Sequence, residues 1–486
     1  MGGAKGEGIY NVVVIGAGTA GLVTAAGTAA LGGRVALVER HRMGGDCLNT
    51  GCVPSKALIA SARLVQQIRE APRWGLEAQP PRFRFEDVMA RVRERRARIA
   101  PHDSQERFES LGVDVFRGPA RFVSPHEVAV DGVRLQARNF VIAAGSRAVV
   151  PQVEGLAEAR AFTNETVFDE LRAKPERMIV IGGGPIGCEM GQAFARLGVT
   201  VTLVQRGPRL LPKEDADVAD LLRRRLEAEG VRVMLGATLR RVSRDGGRFR
   251  TRVETGEGKL EELEADAMLV AAGRAPNVEG LDLDKGGVAF DAKGVRVNEH
   301  LQTTQPHIYA AGDVAGGYQF THLADHHARV VVRNILFPWL KAKADVSALP
   351  WCTYTSPEVA RVGLSEAQAR EKGVAYEVWI ESLEEVDRAV VESEEAGFAK
   401  VLTAKGSDRI LGATIVSERA GDLFHELVLA MRAGLGLKQV SATIHAYPTF
   451  AEVARKAADL YQRSRLTPAA HCLSSWLYRR RRSVGR

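Results

Sequence analysis

Two stretches of this chain repeat one design. Val12-Val13-Val14-Ile15 runs into Gly16-Ala17-Gly18-Thr19-Ala20-Gly21. An alanine-rich helix follows to about Leu31, and 34–39 is a second strand ending in Glu39. Met178-Ile179-Val180-Ile181 runs in the same way into Gly182-Gly183-Gly184-Pro185-Ile186-Gly187. Its helix continues through Glu189 to about Leu197, and 199–204 is the next strand. A glycine turn alone is a weak signal; strand, turn, helix and strand in this order are a strong one. Gly16, Gly18 and Gly21, like Gly182, Gly184 and Gly187, allow a tight turn, close approach of a pyrophosphate and close helix packing. Amides at the helix N-terminus bind phosphate. The chain is therefore expected to be α/β, with two Rossmann-like units and two dinucleotides.

The units differ at one position. Glu39 lies 23 residues beyond Gly16 and suits a ribose diol, whereas 23 residues beyond Gly182 stands Gln205, followed by Arg206 and, nearby, Arg209. A carboxylate would repel a 2′-phosphate, while a neutral amide beside arginine accepts one. The second site is expected to prefer a dinucleotide that carries a 2′-phosphate over one that does not.

Between these units lies Gly44-Gly45-Asp46-Cys47-Leu48-Asn49-Thr50-Gly51-Cys52-Val53-Pro54-Ser55-Lys56. A regular helix holds positions i and i+5 too far apart for a disulfide, which needs Cα atoms within about 4.4–6.8 Å. Gly44, Gly45 and Gly51 are expected to bend the backbone enough to close the ring. Cys52 falls at a helix N-terminus, where a thiol is acidified. A structural disulfide or half of a zinc site are the other readings, but no second Cys pair or Cys/His cluster completes a metal site. No resident metal is expected.

This stretch resembles the redox-active signature of the flavin-dependent pyridine nucleotide-disulfide oxidoreductases, a family that includes dihydrolipoamide dehydrogenase, glutathione reductase and mercuric reductase. The resemblance runs from about Tyr10 to about Glu452. It implies FAD in the first unit and NADPH or NADH in the second, with NADPH the expected preference given Gln205 and Arg206. Electrons would pass from NAD(P)H through FAD to the Cys47–Cys52 disulfide, with Cys52 against the flavin and Cys47 facing the acceptor. Asp313, in His307-Ile308-Tyr309-Ala310-Ala311-Gly312-Asp313, would bind the ribityl chain, with Thr321 near the flavin. Lys56 would lie near the flavin N5, paired with Glu189. Gly145 and Gly273 sit in what look like the two interdomain crossovers, and Ala120 in the adenine-contacting strand. The implied domains are 1–150 (FAD, first part), 151–275 (NAD(P)), 276–348 (FAD, second part), 349–462 (an α+β dimerisation domain) and a basic tail, 463–486. Strands are expected around 359–362, 375–380, 398–402 and 410–416, and helices around 422–433.

One departure from the family pattern concerns the acceptor. The family motif places a histidine immediately before a proline, from where it serves the partner subunit's disulfide in a homodimer. Here that position is Tyr447, in His445-Ala446-Tyr447-Pro448-Thr449-Phe450-Ala451-Glu452. His445 is two residues early and is expected to point elsewhere. A tyrosine of ordinary pKa near 10 is a poor base at neutral pH, although it can donate a hydrogen bond. Small-disulfide reduction needs a proton on the leaving thiolate; metal-ion reduction does not. Mercuric reductase-like members are similar to this chain in the tyrosine and in the turn at 45–49. The expected acceptor is a thiol-bound metal ion; a small disulfide such as lipoamide is the alternative. The family's paired C-terminal cysteines are absent, and Cys472 stands alone.

Composition adds limits. The net charge is +8, and seven arginines with no acid lie within 463–486, so the body is close to neutral and no nucleic-acid footprint is indicated. The arginines at 91, 93, 95, 96 and 98 are expected on a solvated helix face. The tail, with Leu466, Leu473, Trp476, Leu477 and Tyr478, reads either as a helix packed on the body or as one making weak peripheral contact with an anionic membrane. No apolar run reaches membrane-span length. Sparse cysteines and the lack of a secretion signal point to the cytoplasm.

Overall fold

The computed structural model describes Gly6 and residues 8–482. The chain forms two compact units. One comprises residues through Gln66 with 81–210 and 226–346; the other comprises 67–80, 211–225 and everything from Ser347 onward.

In the first unit, strand Ile9–Ile15 lies inside a seven-stranded sheet. Val113–Arg117, Val35–Glu39, Ile9–Ile15 and Val133–Ile142 run side by side in parallel. Ile308–Ala310 joins Val133–Ile142 in parallel, and Glu127–Val130 and Ala120–Ser124 extend the sheet by antiparallel pairing. Val12, Val13 and Val14 are fully buried. A parallel strand covered on both faces needs such an unbroken apolar run. A second sheet orders Arg232–Leu235, Thr200–Gln205, Arg177–Ile181 and Ala267–Val270, all parallel. A three-stranded antiparallel sheet, Thr238–Asp245, Arg248–Glu254 and Leu260–Ala265, precedes its last strand.

Each sheet feeds its glycine turn in the same way. Gly16 and Gly182 adopt φ of +107° and +109°, a region that favours glycine. A Cβ on Gly21 would stand 1.7 Å from the Gly16 carbonyl oxygen, and one on Gly187 1.8 Å from that of Gly182. The helices Thr19–Ala30 and Pro185–Arg196 can therefore seat on their strands only with glycine at these positions. The crossovers meet as well: Ser146–Ala148 pairs antiparallel with Arg274–Pro276. Asn277 closes the junction, its N–H on the Gly145 carbonyl at 3.0 Å and its amide on that of Ala144 at 2.9 Å. The expected boundaries at 150 and 275 thus lie within one unit that holds both nucleotide-type sheets.

The second unit is built on a five-stranded antiparallel sheet ordered Pro350–Thr353, Glu358–Gly363, Ile410–Ser417, Phe398–Ala404, Tyr376–Ser382. Helices Ala420–Leu423 and His425–Arg432 occupy the stretch expected to be helical. Helix Glu452–Ser464 buries Val453, Ala454, Ala457, Ala458 and Tyr461. Segment 211–225, part of this same unit, brings charge inside it. Arg361 is fully buried, 3.0 Å from Glu214, with its guanidinium 4.3 Å above the Trp351 ring. Trp351 Nε1 donates to the other Glu214 oxygen at 2.8 Å. Burial pushes the Glu214 carboxyl up, while Arg361 pulls it down.

The tail forms helix Pro468–Arg482. Leu473, Trp476, Leu477 and Tyr478 are all exposed on it, so the packed-helix expectation fails for these side chains. Arg480 lies over the Trp476 ring at 5.4 Å. Arg486 lies outside the described residues. Among the described residues, no helix is long and apolar enough to cross a membrane.

Replacing Glu214 by Ala leaves the Arg361 charge buried without its carboxylate. The expected cost is about 3–5 kcal/mol, read as a lower midpoint in urea unfolding; a loss below about 1 kcal/mol contradicts the assignment.

Candidate active site

Two short elements carry the cysteines. Cys47 lies in helix Gly45–Asn49, and Cys52 begins helix Cys52–Arg69. The bend between them is at Thr50, with φ −140° and ψ 0°. Only two of the three glycines expected to bend the chain have positive φ, Gly44 at +88° and Gly45 at +58°. Gly51 serves close approach instead: a Cβ there would stand 2.8 Å from Asp46 Oδ2. The whole segment rests on the first glycine turn. Gly44 N–H donates to the Ala17 carbonyl at 2.9 Å, and a Cβ on Gly45 would stand 2.6 Å from Gly18 Cα.

Both cysteines are free thiols in this structure, so the sulfur–sulfur link expected of them is open here. A hydrogen bond from Cys47 lowers the Cys52 thiol to about 6, against burial and with help from Thr321 and the Lys56 charge. Its sulfur lies 3.3 Å from Thr321 Oγ1. The same thiol–thiolate hydrogen bond, followed by burial, pushes Cys47 far up. The pair shares one proton, with the thiolate on Cys52. A helix terminus alone does not explain this; the partner sulfur leads.

Four residues beyond Cys52, Lys56 Nζ meets Glu189 Oε2 at 2.8 Å, with Glu189 buried and Lys56 half-buried. Glu39 is buried and accepts from the Ala17 and His41 amides, each at 2.7 Å. Gln205 occupies the equivalent place: its Oε1 accepts from the Gly183 amide at 2.9 Å and its Nε2 donates to the Arg209 carbonyl at 3.2 Å. Arg206 is exposed. Gly18 and Gly184 cap their helices with no side-chain hydrogen bond. The first-turn amides are thus left to a ligand, and an anion is what they suit. These residues fit a dinucleotide at each turn.

Asp313 follows the strand Ile308–Ala310. Its Oδ2 accepts from Ser146 Oγ at 2.5 Å, and burial pushes its carboxyl up. Gly312 N–H donates to His327 Nδ1 at 3.3 Å; burial lowers His327 to about 4, which keeps it a neutral acceptor. Gly145 and Gly273, with φ of +68° and +129°, turn the chain into the paired crossovers. Ala120 is buried at the start of the edge strand Ala120–Ser124.

Sequence reasoning missed several residues around the cysteine loop. Asn49 Nδ2 donates to the Met43 and Gly45 carbonyls, both at 2.9 Å. Arg96 donates to the Asn49 carbonyl at 3.0 Å and to Asp169 at 2.6 Å. Arg91 donates to the Ala57 carbonyl at 2.9 Å. The arginine-rich helix, Phe85–Ile99, therefore does not present all five arginines to solvent. Arg91 and Arg96 turn inward: Arg96 meets the Asn49 carbonyl at the end of its short helix, and Arg91 adds a donor to the Ala57 carbonyl within the next helix. Composition carries no signal for this.

Tyr447 and Glu452 lie in the second unit. Tyr447 is exposed and donates to Asp387 Oδ2 at 2.8 Å, a bond to a carboxylate that raises its phenol further. Glu452 is buried, with Arg455 on Oε1 at 2.8 Å. His445 faces Glu426 at 3.0 Å and the Thr443 carbonyl at 2.9 Å. Cys472 is exposed. Among the described residues there is no group of three or more His, Cys, Asp or Glu side chains that could hold a metal.

Comparison with known proteins gives consistent findings. Residues 10–328 match the pyridine nucleotide-disulphide oxidoreductase family model, and 349–458 match the family's dimerisation domain. A mercuric reductase of Lysinibacillus sphaericus is 35% identical over 450 residues, covering 92% of this chain and 82% of the relative. A dihydrolipoyl dehydrogenase of Chlamydia muridarum is 35% identical over 449 residues, covering 91% and 95%. Among solved structures, a Cu(II) complex of the HOCl-induced flavoprotein disulfide reductase RclA from Escherichia coli superposes with a TM-score of 0.84. It is 27% identical, with 93% of this chain and 100% of that chain covered.

Alkylation by iodoacetamide, resolved by mass spectrometry, checks the shared proton. Cys52 is expected to gain reactivity as pH rises through about 6, while Cys47 stays slow at neutral pH. Equal profiles near the ordinary thiol value of about 8.5 would show that the two sulfurs do not interact.

Proposed function

The chain belongs to the pyridine nucleotide-disulphide oxidoreductases, and from that membership we propose that it reduces a thiol-bound soft metal ion at the expense of NADPH. Tyr447 carries this reading. It stands where the resemblance calls for a histidine base, and its phenol is held above its ordinary value by Asp387. Such a group is a poor proton carrier at neutral pH. General acid–base help is worth about 10²–10⁴-fold, and its loss weighs on an acceptor whose leaving thiolate must be protonated. A metal ion takes electrons and asks for no such proton. The similarity to mercuric reductase and to a reductase solved with Cu(II) supports the same class.

The chain's residues divide the work as follows. Gly16, Gly18 and Gly21 give the FAD pyrophosphate room beside the uncapped helix, and Glu39 takes the ribose. Asp313, fixed by Ser146, takes the ribityl chain, and Ala120 lines the adenine. Gly182, Gly184 and Gly187 do the same for the nicotinamide coenzyme, where Gln205 and Arg206 favour a 2′-phosphate. Lys56 and Glu189 hold their ion pair beside the flavin ring. The bound flavin supplies two-electron transfer between nicotinamide and sulfur. Cys52 keeps the thiolate next to Thr321, and Cys47 meets the acceptor, its proton leaving with the thiolate it displaces from the metal ion. In a homodimer, Tyr447 and Glu452 would serve the partner subunit's cysteine pair. The second reading, a dihydrolipoamide dehydrogenase-like reductase of small disulfides, rests on the equal identity to dihydrolipoyl dehydrogenase.

The purified flavoprotein is reduced anaerobically with NADPH or NADH and offered Hg(II) thiolates, lipoamide, glutathione disulfide and quinones. Turnover with Hg(II) thiolates and a higher kcat/KM for NADPH are expected. Turnover with lipoamide or glutathione disulfide and none with Hg(II) would select the second reading.

The exposed Leu473, Trp476 and Leu477 beside arginines 479–481 suit weak peripheral contact with an anionic membrane. Co-sedimentation with phosphatidylserine vesicles is expected for the full chain and lost without 463–486; equal sedimentation of both forms removes this contact.

A further inference from the structure

Asp46 stands immediately before Cys47 and takes no part in the chemistry above. Its carboxylate is a junction. Oδ1 accepts from Thr50 Oγ1 at 2.6 Å and from Asn164 Nδ2 at 3.1 Å. Oδ2 lies 3.3 Å from Arg274 Nη2. Asn164, itself buried, also donates to the Thr50 carbonyl at 3.3 Å, and the Thr50 amide returns to the Asp46 carbonyl at 2.8 Å. Arg274 is fixed from behind, with Nε on Ser146 Oγ at 2.9 Å and Nη2 on the Ser146 carbonyl at 3.2 Å. It belongs to the crossover strand Arg274–Pro276, so the junction reaches a rigid part of the unit.

What Asp46 grips is the bend that separates the two cysteines. A sulfur–sulfur bond forms only within a narrow window of Cα and Cβ separations. Thr50 and Gly51 are the residues whose backbone turns helix Gly45–Asn49 toward Cys52. The packing leaves no side chain at Gly51, because the Asp46 carboxylate fills that space.

We propose that Asp46 is a positioning residue for the cysteine pair: it ties the bend at Thr50–Gly51 to Asn164 and Arg274 and so sets how readily the two sulfurs close their bond. Holding the sulfurs adjacent raises their effective concentration for closure. The negative charge also disfavours a thiolate on either cysteine, so it acts in the same direction. Closure takes two electrons and the one shared proton from the pair; a second proton comes from solvent. In a glutathione buffer the electrons pass to glutathione disulfide, which leaves as two molecules of glutathione. This inference rests on reading Cys47 and Cys52 as a redox pair.

The test uses the isolated flavoprotein as the parent chain, Asp46→Asn and Asp46→Ala. Each is equilibrated in glutathione redox buffers, and the 47–52 state is read by alkylation and mass spectrometry. Asp46→Ala is expected to shift the equilibrium about tenfold toward the dithiol, equal to about 30 mV for a two-electron couple. Asp46→Asn should shift it less, since an amide oxygen still accepts from Thr50 and Asn164. A role confined to stability would lower the unfolding midpoint and leave the redox equilibrium unmoved. Variants within twofold of a parent chain that closes normally would overturn the proposal alone. A parent chain that forms no 47–52 bond in any buffer would remove the redox reading, and this inference with it.

Discussion

Everything at the cysteine site depends on one backbone-to-backbone contact. Gly44 and Gly45 press onto Ala17 and Gly18, the residues that form the first dinucleotide turn, through the Gly44 N–H to Ala17 hydrogen bond. The two glycines adopt left-handed backbone there, and the Gly45–Gly18 approach has no room for a Cβ. This contact sets the redox segment against the phosphate-binding turn. The rest follows from it: the helix that Cys52 begins carries Lys56 to Glu189, and Thr321 opens a helix whose hydroxyl meets the Cys52 sulfur.

The two nucleotide turns show how one hydrogen bond can be kept while a charge is removed. In the first, the Ala17 amide donates to Glu39; in the second, the Gly183 amide donates to Gln205. Both side chains present an sp² oxygen to the second residue of their turn. The second arm differs: Glu39 accepts also from the His41 amide, whereas Gln205 donates to the Arg209 carbonyl. The second turn keeps its amide contact without the charge. Buried charge elsewhere has the opposite character. Arg361 and Glu214 sit in the second unit as a pair whose separate members could not stay there.

How much of this was legible beforehand follows from the range of each signal. Gly16, Gly21, Gly182 and Gly187 were readable because a glycine turn and its flanking periodicities are local. Lys56 and Glu189 entered only through resemblance, since 133 positions separate them. His445 was read as pointing away, and it does face Glu426. The arginine helix was misread because charge on a helix usually means solvent; Arg96 turns inward to the Asn49 carbonyl, an orphan acceptor that no pattern announces. For the tail helix the residues leave two readings open, packed or free, and only the fold decides between them, as exposure is a property of the fold rather than of composition.

The order of residues alone determined the α/β class, the two dinucleotide turns, the paired cysteines and the tyrosine at 447. Each is a short-range pattern whose stereochemistry is complete within one or two turns of chain. Tertiary structure alone decided which groups add to the acidity expected of Cys52, which donors reach the loop between the cysteines, and where Asp46 points. These depend on distances of a few ångströms between groups far apart in the chain, and such distances exist only once strands and helices have packed.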